Sequence, residues 1–142
     1  MSGPIWIDQR DALALHERLV ALHGGAGGLR DEGLLASALA RPQQHFAYAE
    51  LADVIDMATA YTAGIVRNHP FVDGNKRTGF VVGILFLELN GYRFTASEED
   101  AAQMVIALAG GDIDERGYCS FLRANAVANR RTSAFAGRVR RD

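Results

Sequence analysis

Apolar residues recur every three to four positions through most of this chain, and the polar residues between them fall where helices start and stop. In the first run, Leu13, Leu15, Leu19, Val20 and Leu22 form one apolar face. Asp8 is a suitable N-cap with Asp11 in the first turn, so the pattern predicts a helix from Asp8 to about His23. Pro4, Ile5, Trp6 and Ile7 before it read as a short extended lead-in. The run GGAGG at 24–28 stops the helix, because glycine lowers the cost of leaving helical geometry. Asp31 caps a second helix, which is expected to end before Pro42. A third runs from about Leu51 to Asn68 on Val54, Ile55, Met57, Ala58, Tyr61, Ile65 and Val66.

The pattern then changes. Residues 69–79 read HPFVDGNKRTG, and residues 79–89 read GFVVGILFLEL, apolar on every side apart from Glu88. Such a helix is expected to be the buried central one. Asn90 and Gly91 end it, and residues 92–95 fit a short strand. Ser97 with Asp100 resembles a capping box for a fifth helix to about Ala109. Gly110 and Gly111 break that helix, and a sixth runs from about Asp114 to Ala128. No repeat, low-complexity block or interdomain linker interrupts the series. The expectation is one all-α domain over 1–128, with a basic, flexible tail over 129–142.

Composition narrows the class. The chain has 142 residues, 49% of them hydrophobic and 23% charged, which suits one globular domain with a real core. No apolar run approaches the roughly 18 uncharged residues of a membrane span, and the N-terminus lacks the pattern of a secretory signal. One cysteine, Cys119, excludes an internal disulfide, so cytoplasmic localisation is expected and Cys119 reads as a core filler. The net charge of −2 hides an asymmetry, since residues 129–142 hold five arginines against Asp142. Those arginines fit either a solvated tail or an arm that touches an acidic partner or nucleic acid.

The chemistry concentrates in HPFVDGNKRTG. Pro70 favours a turn, Gly74 permits unusual backbone angles, and either Asp73 or Asn75 could cap the next helix. Phe71 and Val72 are expected to face inward as anchors. Free N–H groups at a helix start, with the positive end of its dipole, make an anion site. Lys76 and Arg77 add two cations there, each opposing the dipole by roughly 0.3–1 kcal/mol unless an anion binds. A single carboxylate, Asp73, beside phosphate oxygens suits magnesium, which keeps most of its waters. His69 is the nearby group able to take a proton near neutral pH. Together they fit transfer of a phosphorus-centred group to a hydroxyl. Taken singly, the same residues also fit a hydrogen-bonded histidine and a solvated Lys-Arg pair. Zinc would require more soft ligands than this neighbourhood holds. His16, His23 and His45 read as surface or packing residues. Neither GxxxxGKS/T nor GxGxxG occurs, so an ATP user would rely on this loop.

These residues resemble the signature of the Fic/Doc superfamily, H-x-F-x-D/E-G-N-G-R-x-x-R. His69, Phe71, Asp73, Gly74, Asn75 and Arg77 match it, whereas Lys76 replaces a glycine and Phe80 replaces the second arginine. The core H-x-F-x-D-x-N-K-R is similar to the Doc, or death-on-curing, branch. The resemblance extends to GGLRDEGLLASALARP and FLELNGYRF and covers residues 6–125.

The resemblance implies a Fic fold of about six helices and a toxin of a type II toxin–antitoxin module. Its activity would be that of a protein kinase, moving the γ-phosphate of ATP to a threonine of translation elongation factor Tu and blocking translation. His69 would be the general base and Asp73 the magnesium ligand. Gly74 and Asn75 would shape the loop and position the nucleotide, Lys76 and Arg77 would grip the phosphates, and Arg67 would be a weaker member of the cradle. An uncharged Phe80 removes the clamp that presents the α-phosphate, so phosphorylation is favoured over AMP transfer. A catalytically silent toxin-like binding partner is the reading from another class. The inhibitory pattern S/T-x-x-x-E-G/N fails, because Gly28 stands four residues before Glu32-Gly33. Restraint is therefore expected from a small antitoxin in trans with a segment that folds on binding, nucleic acid being reached only through it.

Overall fold

Five of the six described helices begin at a side chain that their own sequence supplies. In the computed structural model, which describes residues 3–49 and 52–129, α1 is Gln9–His23, α2 Glu32–Tyr48, α3 Val54–Asn68, α4 Asn75–Leu89, α5 Glu98–Gly110 and α6 Glu115–Ala124. Asp8, Asp31, Asp53, Ser97 and Asp114 accept the N–H three residues on at the starts of α1, α2, α3, α5 and α6. At α1 and α3 the bond is reciprocal, since Asp11 and Asp56 accept the N–H of Asp8 and Asp53. Ser97 makes only the forward half. The exception is α4, whose start has no side-chain cap.

The architecture is all-α with one short sheet, and α3 is its core. From Val54 to Val66 every residue except Asp56 is buried. Residues 79–89 were the expected centre, but α4 lies beside α3 with Ile84 and Leu85 half-buried and Glu88 and Leu89 exposed. Small residues allow the close packing. A Cβ at Gly64 would stand 3.2 Å from the Ala38 backbone of α2, and one at Gly83 would strike Thr62 Oγ1 and stand 2.9 Å from Ala58 O. Thr62 Oγ1 also donates to Gly79 O at 2.8 Å, locking α3 to α4.

Three boundaries differ from expectation. Helix α2 continues through Pro42 to Tyr48. Pro42 cannot donate to the carbonyl four residues back, but it is buried in line with Leu35, Ala38 and Leu39, and that burial outweighs the missing bond. Helix α3 starts at Val54 rather than near Leu51, because the Asp53–Asp56 box fixes its first turn. Helix α6 stops at Ala124 rather than Ala128. Asn125 Nδ2 donates back to Phe121 O, its carbonyl accepts from Thr95 N and Oγ1, and the chain is drawn into a strand.

That strand, β2 (Ala126–Ala128), pairs antiparallel with β1 (Tyr92–Phe94), with Arg93 opposite Val127. The lead-in at 4–7 is tied down by two reciprocal pairs, Ile5 with the Asn90 side chain and Ile7 with the Tyr61 hydroxyl. Apart from Asn129, the arginine-rich segment lies outside the described residues. No described helix is long and apolar enough to cross a membrane.

Candidate active site

The loop between α3 and α4 is built from both sides. Helix α3 ends when His69 turns into the left-handed region, φ 52° and ψ 53°, while its N–H still donates to Ile65 O. It is the only non-glycine residue with positive φ among those described, a conformation that side chains generally avoid. Arg30 holds it there, donating from Nε to His69 O at 2.7 Å and from Nη2 to Asn68 O at 3.0 Å. The backbone of 28–31 runs alongside. Pro70 O accepts from Arg30 N and Asp31 N, Val72 N donates to Gly28 O, and Leu29 bridges Phe71. The outcome is an exposed imidazole at 69 on a fixed backbone.

Beyond His69 the loop closes on itself. Phe71 is fully buried, whereas Val72, expected to face inward, is 49% exposed. Period-two reasoning explains the difference, since neighbours in an extended segment point to opposite faces. Asn75 is buried and embraces Phe71, accepting from its N–H and donating to its carbonyl, both at 2.9 Å. Neither Asn75 nor Asp73 caps α4. Gly74 occupies the cap position at φ 78°, which favours glycine. The first-turn N–H groups of α4 are thus left for whatever anion approaches.

Asp73 is exposed and held by backbone. Its Oδ1 accepts from Gly74 N at 2.8 Å and its Oδ2 from Ala26 N at 3.3 Å. These bonds, Gly74 first, hold its carboxyl below the usual carboxylate range, with a smaller contribution from the charge on Lys76. Lys76 and Arg77 are exposed and make no hydrogen bond or ion pair among the described residues. Two cations thus stand outside any ion pair at an uncapped helix start.

Arg67 is placed differently. Its Nη1 pairs with Glu115 Oε1 at 3.1 Å, and Glu115 is also gripped by Arg41. Phe80 packs edge-on against Phe94, 5.7 Å between ring centres, and brings no charge to the loop. Sequence reasoning missed Arg30 and His16. His16 is buried on α1, stacks on Phe71 at 3.9 Å and 7°, and places Nε2 2.7 Å from Asp73 O. Its signal was its place four residues after Ala12, on the only buried stripe of α1.

Comparison with known proteins covers this loop. The family profile described as Fic/DOC family matches residues 6–87. The chain is 32% identical over 117 residues to the protein kinase Doc of Escherichia phage P1, covering 82% of this chain and 92% of that protein. It is 38% identical over 95 residues to the toxin Doc of Mycolicibacterium smegmatis, covering 64% of this chain and 68% of that one. A loop of this sequence and construction, within a match that spans more than half the chain, places the protein in the Fic/DOC family.

Proposed function

We propose that the chain is a Doc-type toxin that transfers the γ-phosphate of ATP to a hydroxyl, a threonine of elongation factor Tu, and so blocks translation. One observation carries the reading: the uncapped start of α4 bears two unpaired cations, Lys76 and Arg77, beside an exposed imidazole and an ionised carboxylate. Two cations at an uncapped helix start oppose its dipole unless an anion binds there, and a triphosphate supplies that anion. The names of the two relatives, a protein kinase and a toxin, support the same assignment.

His69 takes the proton of the target hydroxyl as the oxygen attacks the γ-phosphorus. The bond from that phosphorus to the bridging oxygen of ADP breaks, and Lys76, Arg77 and the first-turn N–H groups of α4 hold the developing charge. Gly74 and Asn75 shape the cradle. In the described structure Arg67 is committed to Glu115, so it would join only by leaving that pair.

Asp73 fits magnesium. Each carboxylate oxygen accepts one N–H and retains lone-pair capacity. Among the described residues no three metal-binding side chains gather, so an ion here would share its coordination with phosphate oxygens and water, as magnesium does. When bound, magnesium would neutralise phosphate charge. The partner that restrains the toxin is a small antitoxin in trans, which would also supply any link to nucleic acid.

The test is ATP labelled at either the α- or the γ-phosphate, incubated with purified elongation factor Tu and magnesium. Label from the γ position alone is expected on the factor. Label from the α position alone would defeat the kinase reading and establish AMP transfer, and no label from either would favour a silent binding partner.

A further inference from the structure

The carboxylate of Asp73 is exposed, so side-chain packing does not fix its direction. Hydrogen bonds do, and they trace back to α1. His16 Nε2 lies 2.7 Å from Asp73 O, and since a carbonyl only accepts, Nε2 is the donor. That carbonyl belongs to the same peptide plane as Gly74 N–H, which donates to Asp73 Oδ1 at 2.8 Å. Peptide planarity transmits a constraint from one edge of the plane to the other. His16 is itself immobilised, buried and stacked on Phe71 at 3.9 Å. The second carboxylate oxygen meets the segment that follows α1. Ala26 N donates to Oδ2 at 3.3 Å, and Gly25 lies so close that a Cβ there would stand 2.8 Å from Oδ2.

We propose that His16 and Gly25 are positioning residues: α1 and its glycine-rich tail form a jig that sets the direction of the Asp73 carboxylate and thereby the magnesium requirement of nucleotide binding. The magnesium half rests on the reading of Asp73 given above. The orientation half stands on the hydrogen bonds alone. The first oxygen is controlled through the peptide plane from His16, the second through the absence of a side chain at 25. Residues that orient a metal ligand from behind typically alter metal affinity about 10–100-fold.

Two variants separate positioning from folding. His16→Ala removes the donor but also leaves a gap against Phe71, so His16→Gln, which restores a donor of similar reach, is its partner. Gly25→Ala acts at the surface. Its control is Gly24→Ala, where φ is also left-handed, at 86°, but a Cβ would meet nothing within 4 Å. Hydrogen exchange of the Gly74 and Ala26 amides is measured without nucleotide or metal, and ATP binding is measured by calorimetry with and without magnesium chloride.

His16→Ala is expected to speed exchange at Gly74, and Gly25→Ala at Ala26, while amides within α3 keep parental protection. Both should reduce the magnesium enhancement of ATP binding about 10–100-fold, leave metal-free ATP binding unchanged, and be matched by recovery in His16→Gln. Gly24→Ala, which shares the backbone strain of Gly25→Ala but not its contact with Oδ2, should stay nearer the parent than Gly25→Ala does. Parental exchange in His16→Ala and Gly25→Ala would overturn the jig. So would a parental magnesium enhancement in both, if Asp73→Asn abolishes it. If magnesium changes ATP binding in neither the parent nor Asp73→Asn, the metal reading of Asp73 fails, while the exchange rates still decide the orientation.

Discussion

His69 combines an exposed imidazole with a left-handed backbone that a β-carbon resists. A substitution there changes two properties at once, and the choice of residue separates them. His69→Asn keeps a side chain that tolerates this region, and His69→Gly removes the steric conflict altogether. Both are expected to keep parental thermal stability and ATP binding while phosphate transfer falls by about 10²–10⁴-fold, the usual weight of a general base. His69→Ala should lose transfer equally, and because alanine carries the same β-carbon as histidine at this φ of 52°, its melting temperature should also stay close to the parental one. Parental transfer rates in His69→Asn would exclude the imidazole as the base. At this scale the sequence exposed the chemistry but not its supports. The residue types of HPFVDGNKRTG announce an anion site, whereas Arg30 and His16 act from 39 and 57 positions away, across contacts that no local pattern encodes. Asn75 was legible as a loop residue, but its bonds to Phe71 rather than to the helix start depend on burial.

Between elements, the contact that places the loop is the one between α3 and α4. Gly83 allows it, because any side chain there must displace Thr62 Oγ1, which is held by Gly79 O, or the Ala58 carbonyl within α3. Neither neighbour is a flexible tip. Gly83→Ala is therefore expected to cost about 1–3 kcal/mol, the range for overpacking a tight interface, measured as a lower urea midpoint with unchanged slope. Gly110→Ala serves as the control, since a Cβ there meets nothing within 4 Å. An equal midpoint in the two variants would mean that the helices separate freely. The same scale shows where pattern reading fails. Apolar runs, caps and breakers located the six described helices, but hydrophobicity assigned the centre to residues 79–89, whereas small residues bring α2 and α4 onto α3. Pro42 and residues 126–128 went against local expectation because buried packing in one case and strand pairing with β1 in the other outweigh propensity.

Across the whole molecule, the end of α6 is fastened to the start of α3 by charge. Arg123 donates to Asp53 Oδ2 at 2.7 Å and reaches Oδ1 of both Asp53 and Asp56 at 3.3 Å. Burial pushes the Asp53 carboxyl up, but the Arg123 guanidinium and the Asp56 N–H together outweigh it and hold the folded-state pKa below the ordinary 3.8. A carboxyl with a depressed folded pKa binds protons more readily when unfolded. Its contribution is therefore present above the unfolded pKa and lost as pH falls through the folded one. The pair is partly exposed, so its worth is of the order of 1 kcal/mol. Arg123→Met, which keeps much of the stem's packing and removes the charge, should be less stable than the parent by about that amount near pH 7. As the medium is acidified below 3.8 the two urea midpoints should converge, because protonated Asp53 no longer distinguishes a guanidinium from a thioether. At the alkaline end the signs reverse. Burial raises Tyr61 to about 12, so stability present below its ordinary 10.0 is lost as pH rises through that interval. Since Tyr61 anchors Ile7 through both its N–H and its carbonyl, Tyr61→Phe should flatten the alkaline loss without moving the acid convergence. A constant gap between parent and Arg123→Met from neutral pH to well below 3.8 would show that packing, not charge, joins α6 to α3.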